Sequence, residues 1–253
     1  MILLLGGTSE GRELTVLLEA AGYDILLSVA TDYGADIAEA AGIGQKLTGR
    51  LDEAGLSHLL DEKRITAVVD ATHPFAQNVT RIAKQVCKDK RIPFIRYSRP
   101  QLAVHEHPLI HYAENYEQAA AMAVSLGKNI FATVGANRLE SIVGTVRSAG
   151  VRLIVRVLPE VNSLTKCLSL GIAGKDIIAM QGPFTEALNK ELFIAYDVDV
   201  VMMKESGAAG GTDTKLAAAI DCGIPVVIIR RPQQESDSVL DYAGIINWIK
   251  EIV

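Results

Sequence analysis

The chain has 253 residues, with 25 Lys and Arg against 30 Asp and Glu, and the resulting net charge of −5 argues against a broad nucleic-acid footprint. Cys87, Cys167 and Cys222 are scattered, odd in number and without metal-ligand spacing, which suits a reducing compartment better than a disulfide framework and reads as three buried or inert thiols. The apolar start gives way to glycine after about five residues, too short for a signal peptide or a membrane span, so the expectation is a cytoplasmic protein with no membrane and no nucleic-acid partner.

Met1 to Leu5 reads as a buried strand, followed at once by Gly6, Gly7 and Gly11 and then by the helix-like ELTVLLEAA. Strand, glycine turn and helix outline a dinucleotide site, where glycine lets the backbone approach a pyrophosphate and the helix start favours its charge. Gly6 and Gly11 occupy the first and last positions of the usual fingerprint, while Thr8 stands at the middle one. Thr8 and Ser9 offer hydroxyls to a phosphate and Arg12 adds charge; the alternative is an ordinary tight turn.

Tyr23 to Ala30 reads as a second strand whose tip carries no acidic residue, only Ala30 and Thr31 before Asp32. An acidic residue there would meet a free ribose 2′-hydroxyl, so its absence tilts the cofactor toward NADPH, with NADH still possible. Ser28, Thr31 and Arg50 are the residues placed to meet the 2′-phosphate, Arg50 because it follows a third strand in KLTGRL; its alternative role is a solvated surface arginine. A helix over 51–62 leads to a strand over 65–72, which ends in Asp70, Thr72, His73, Pro74 and Phe75, where open α/β sheets place their ligands. A helix over 78–89 and a strand over 92–97 follow. This alternation predicts a parallel sheet with helices on both faces, a Rossmann-like dinucleotide-binding domain over residues 1–100 with Thr72 among its cofactor contacts.

Residues 101–112 read as a crossover, and its three histidines, His105, His107 and His111, as exposed side chains of an extended segment rather than a metal site. The remainder repeats the rhythm. Helices over 114–126, 138–146, 163–170, 185–195 and 214–222 alternate with strands over 129–134, 151–158, 177–180, 198–203 and 224–229, and a helix over 242–252 closes the chain. Residues 101–253 are thus expected to form a second α/β domain with a mainly parallel sheet. No stretch has the look of an exposed apolar interface, which points to a monomer.

Seven short motifs carry a resemblance: GGTSEGR from Gly6, GRLD from Gly49, DATHPFA from Asp70, RVLP from Arg156, QGPF from Gln181, KESGAAGGTDTK from Lys204 and IPVVIIRRP from Ile224. In this order and in a chain of this length they resemble the precorrin-6A reductases of cobalamin biosynthesis, including the cobalt-precorrin-6A reductases. The resemblance implies nicotinamide-dependent reduction of one double bond of a tetrapyrrole macrocycle to the 6B form, in an inter-domain cleft between two Rossmann-like α/β domains.

A corrinoid precursor is rimmed with carboxylates, and an acidic protein holds it only with a local cluster of donors. Lys204, Ser206, Gly207, Gly210, Gly211, Thr212 and Lys215 supply one; a phosphate loop or an ordinary turn is the alternative, although the phosphate-loop spacing is absent. His73 is placed either to deliver the proton that completes the reduction or to contact a carboxylate or the cofactor. Asp70 either orients His73 or caps the turn that follows. Gln181 is a macrocycle contact or a turn residue. A reductase of another substrate and a redox sensor that binds the dinucleotide without turning it over complete the field.

Overall fold

The computed structural model describes residues 1–98, 106–205, 211–231, 238–239 and 241–252. Its strands are β1 (Ile2–Leu5), β2 (Ile25–Val29), β3 (Lys46–Thr48), β4 (Ala67–Asp70), β5 (Phe94–Tyr97), β6 (Ile110–Ala113), β7 (Asn129–Thr133), β8 (Arg152–Val157), β9 (Ile177–Ala179), β10 (Val200–Lys204), β11 (Val226–Ile229) and β12 (Ser238–Val239). Its helices are α1 (Ser9–Ala20), α2 (Asp32–Ala40), α3 (Glu53–Glu62), α4 (Gln77–Lys90), α5 (Tyr116–Leu126), α6 (Glu140–Ser148), α7 (Val161–Ser169), α8 (Glu186–Ala195), α9 (Thr212–Asp221) and α10 (Tyr242–Ile252). Among the described residues, no helix is long and apolar enough to cross a membrane.

The chain divides into two compact units, Met1–Pro100 with Pro232–Val253, and Gln101–Arg231. In the first, the sheet runs β12-β5-β4-β1-β2-β3 with parallel pairing throughout. The alternation of β1 explains why it sits at the centre. Ile2 and Leu4 pack on one face with Leu14 and Leu18 of α1 and Ile245 and Ile249 of α10. Leu3 and Leu5 pack on the other with Leu56, Leu59 and Leu60 of α3 and Ile82 and Val86 of α4. Both faces are covered, so the strand is apolar at every position.

The second unit has the order β6-β11-β10-β7-β8-β9, again with parallel pairing. Phe131, Ile154, Val201, Met203, Val226 and Ile228 from its strands share a core with Phe193 of α8 and Leu216 of α9. Each sheet reverses its strand order at one place, between β1 and β4 in the first and between β7 and β10 in the second. In such folds the crevice at the carboxyl ends of those strands is where a ligand binds.

Two expectations change, and one element is new to the sequence reading. The stretch from 232 to 253 belongs with the first unit, not with a second domain running to residue 253. A terminal helix has the same apolar stripe whichever sheet it covers; α10 packs on β5 and β12 and shares the core of that face, and Tyr242 donates a 2.8 Å hydrogen bond to Glu13 Oε2 of α1. Second, Asp32–Ala40 is a helix that glycine and alanine made hard to see, and it is started by Thr31, whose hydroxyl accepts the Gly34 N–H. Third, the histidine-bearing crossover contains β6, a four-residue strand beside β11, in which His111 pairs with Val227. His105 lies outside the described residues.

Candidate functional site

The glycine turn is fixed by Thr8. Its hydroxyl caps α1 by accepting the Gly11 N–H at 3.0 Å and donates to the Ala71 carbonyl, also at 3.0 Å. One side chain therefore ties the turn after β1 to the end of β4, across the reversal of strand order. Thr8 is buried and its one hydroxyl proton is committed, so what it presents outward is backbone. Gly7 is exposed at φ +107 with open space where a Cβ would stand, the conformation and clearance that a close phosphate approach requires. Gly6 and Gly11 are needed for packing instead. A Cβ on Gly6 would lie 2.5 Å from the Leu27 side chain, and one on Gly11 3.2 Å from the Gly6 Cα and 3.6 Å from the Ala71 oxygen. Gly11→Ala is accordingly expected to lower stability by about 1–3 kcal/mol, read from the urea midpoint.

Ser9 and Arg12 stand on the outer side of α1. The Ser9 hydroxyl donates to Glu10 at 2.8 Å, and both residues line a groove of about 450 Å³ with Glu13, Val16, Leu17, Ala41 and Tyr242. Ser28 is buried on β2, where its carbonyl accepts the Gly6 N–H at 2.8 Å. Arg50 is exposed just beyond β3 and follows Gly49 at φ +128.

Asp70 is completely buried and both of its carboxylate oxygens are fully used. Oδ1 accepts from the Thr72 N–H at 2.9 Å and the Thr72 hydroxyl at 2.6 Å; Oδ2 accepts from the Thr80 hydroxyl and from Arg96, each at 2.6 Å. Arg96 also reaches the Thr80 hydroxyl and, at 3.5 Å, the His73 carbonyl. Asp70 was expected among the catalytic residues; enclosed in this way, it acts only through others, capping the turn and fixing Thr72 and the His73 backbone. Arg96, which holds this network, was missed because an arginine inside a strand reads as a sheet-edge residue.

His73 is half-buried at the end of β4, and its Nδ1 accepts the Phe75 N–H at 3.2 Å. That acceptor role places the proton of the neutral ring on Nε2. The Phe75 ring lies 5.7 Å from the imidazole in a tilted arrangement.

In the second unit the notable feature is a group of cations at the carboxyl end of the sheet. Lys215, in the first turn of α9, is buried, and burial together with Arg156 and Lys204 pushes its ammonium down to about 7. Burial also brings the Arg156 guanidinium down to about 10. Arg156 stacks 3.9 Å above the Phe184 ring and donates to Asn189 of α8 at 2.9 Å. Lys204 ends β10, and its ammonium lies 4.0 Å from where a Cβ on Gly135 would stand, just beyond β7. Thr212 is buried at the start of α9, following Gly211 in the left-handed conformation. Gln181 is exposed beside the Gly182-Pro183 cis peptide. Ser206, Gly207 and Gly210 lie outside the described residues. Arg156 enters the sequence reading only within the RVLP motif, and nothing in the local pattern separates it from Arg152 on the same face of β8.

A family model described as "Precorrin-6x reductase CbiJ/CobK" matches residues 1–250. The chain belongs to this family. It is 35% identical over 254 residues to the cobalt-precorrin-6A reductase of Priestia megaterium, covering 100% of this chain and 96% of that one. It is also 35% identical over 232 residues to the cobalt-precorrin-6A reductase of Salmonella typhimurium, covering 91% of this chain and 87% of that one. The solved structure of "CobK precorrin-6A reductase" superposes with a TM-score of 0.79 at 24% identity, over 99% of this chain and 96% of that one, so the fold is shared. Two α/β units with parallel sheets, as the sequence predicts, are the architecture of the family.

The cysteines stand apart from both sites. Burial raises the Cys87 thiol to about 12 and also raises that of Cys167, which makes both poor nucleophiles.

Proposed function

We propose that the chain reduces one double bond of the precorrin-6A macrocycle, metal-free or bearing cobalt, to the 6B form in cobalamin biosynthesis, with NADPH as reductant. The observation that carries this is its full-length likeness to the cobalt-precorrin-6A reductases. The first unit has the features a dinucleotide requires: Gly7 leaves clearance for a phosphate, and the Thr8 bridge sets the α1 N-terminus beside the end of β4. NADPH, when bound, supplies the hydride.

The protein's own contribution is placement. Gly6, Gly7, Thr8 and Gly11 shape the phosphate turn, with Ser9 and Arg12 on the helix that follows. Thr72, pinned by Asp70, faces the ligand from β4, while Ser28, Thr31 and Arg50 flank the ribose end and Arg50 meets the 2′-phosphate. His73, with its Nδ1 taken by the Phe75 N–H, offers its Nε2–H as a hydrogen-bond donor to the cofactor or to a substrate carboxylate, and the proton that accompanies the hydride, so that one C=C bond becomes CH–CH, comes from solvent. Lys204, Thr212 and Lys215 of the second unit, with Gln181, Ser206, Gly207 and Gly211, hold the acid arms of the substrate.

The cofactor half of this assignment has its own test. Arg50→Ala is expected to raise the dissociation constant of NADPH by about 10-fold or more and to leave that of NADH unchanged, measured by nucleotide fluorescence. Equal effects on the two nucleotides would remove Arg50 from the 2′-phosphate.

A further inference from the structure

We propose that Arg156, Lys215 and Thr133 form a pocket for a single carboxylate group at the carboxyl end of the second sheet. The residues meet because of strand register. Phe131 pairs with Ile154 and Ala132 with Val155, so the next step along β7 and β8 sets Thr133 beside Arg156. On the other side Thr133 pairs with Met203 of β10, while Arg156 pairs with Ile178 of β9. Across this row Ile178 and Met203 belong to the apolar core under α8 and α9, and the polar side chains are Arg156 and Thr133. Lys215 approaches from α9, next to core residue Leu216.

An apolar row does not hold two polar side chains without a reason. The Thr133 hydroxyl is buried and has no hydrogen-bond partner, at the direct cost of an unmet polar group. Lys215 is only 6% exposed and, among the described residues, makes no ion pair. The neighbouring carboxylates are committed elsewhere. Glu205 accepts the Arg231 backbone N–H and faces its guanidinium, Asp176 is held by Arg152, and Glu186 and Asp221 are both held by Lys190. Asp213, on the first turn of α9, is exposed. Lys204 adds a further positive charge to the same region. Two buried cations and an orphaned hydroxyl therefore converge with no protein anion among the described residues to balance them, the arrangement that a bound oxyanion completes.

The guanidinium shape selects the ligand. Phe184 on one face and the Asn189 bond at one nitrogen fix the plane of Arg156, leaving its other N–H groups to meet a flat, two-oxygen acceptor. A carboxylate fits this slot; a phosphate shares the charge but not the shape. That the carboxylate is an acid arm of a tetrapyrrole rests on the function proposed above, whereas the pocket stands on the geometry alone.

The test uses the full chain at pH 7 and constant ionic strength, with sodium propionate or inorganic phosphate replacing chloride and the melting temperature as readout. Propionate is expected to raise it by about 2 °C or more. The shift should vanish in Lys215→Met and Arg156→Met, persist in Lys215→Arg and shrink in Thr133→Val, which keeps the assay decisive if either methionine variant fails to fold. Lys215→Met should itself melt higher than the parent in chloride, since it removes an unbalanced buried charge. An absent propionate shift, a shift unchanged in these variants, or a larger shift with phosphate than with propionate would overturn the carboxylate pocket. A normal propionate response in a chain that turns over no tetrapyrrole would uphold the pocket and refute the substrate.

Discussion

Asp70→Ala is expected to cost about 3–5 kcal/mol of folding stability, which makes it the most damaging single substitution in the first unit. The carboxylate is fully buried and accepts hydrogen bonds from Thr72, Thr80 and Arg96. Its removal strands the Arg96 guanidinium, itself only 9% exposed, with no carboxylate to face. A buried charge left alone costs far more than a well-formed pair contributes, so the double variant Asp70→Ala/Arg96→Met should recover much of the loss. Urea unfolding of the two single variants and the double variant measures this. A loss below about 1 kcal/mol in Asp70→Ala would mean that the network is a bystander. The same substitution frees Thr72 and the His73 backbone, so weaker nucleotide binding should accompany the lost stability.

The second large effect concerns Lys215. With its ammonium brought down to about 7, Lys215 of the free protein loses, as pH rises past neutrality, the charge that the proposed pocket offers a carboxylate. The Michaelis constant for the macrocycle is therefore expected to rise by up to about 10-fold per pH unit above pH 7, until the substrate-bound form also loses its proton. Lys215→Arg, which keeps its charge, should flatten that profile, and Lys215→Met should raise the constant at every pH. Folding stability moves the opposite way. The folded-state value near 7 lies below the ordinary 10.5, so between those limits the unfolded chain binds the additional proton. Stability of the ligand-free protein must then increase from pH 7 toward 10.5, with the cost of the buried charge greatest below 7. A melting-temperature series over that range should show a slope attributable to this residue, and Lys215→Met should remove it. A Michaelis constant flat across the range would contradict a carboxylate held by this lysine.

The parts of the molecule that were legible in the sequence are those where local pattern and tertiary role coincide. The four apolar residues of β1 followed by glycine announce a buried parallel strand and a turn, and both are present. Polar residues after β4 mark the end of a strand at the crevice, and Asp70, Thr72 and His73 are there. Their division of labour was not legible, because whether a carboxylate faces a ligand or is consumed by Thr72, Thr80 and Arg96 depends on partners up to 26 residues away. The same holds for Thr8, whose hydroxyl is taken by Ala71, 63 residues further along the chain. Thr31, which the strand tip offers to a 2′-phosphate, also starts a helix that its neighbours Gly34 and Ala35 hardly advertise. The course of the last 22 residues was equally hidden, since the amphipathic pattern of α10 fits either sheet. Arg156 escaped notice because burial turns an arginine from a surface residue into an anchor, and burial is a property of the fold.

Coupling of nucleotide oxidation to reduction of a precorrin-6A macrocycle, as proposed above, is tested most directly by an anaerobic titration of the purified protein with NADPH and with NADH, followed by addition of precorrin-6A or its cobalt form while the absorption spectrum is recorded. Loss of the reduced-nucleotide band together with a shift of the macrocycle bands, with NADPH preferred, is the predicted result. Tight nucleotide binding with no spectral change in either macrocycle would contradict it and favour a nucleotide sensor or a reductase of another substrate.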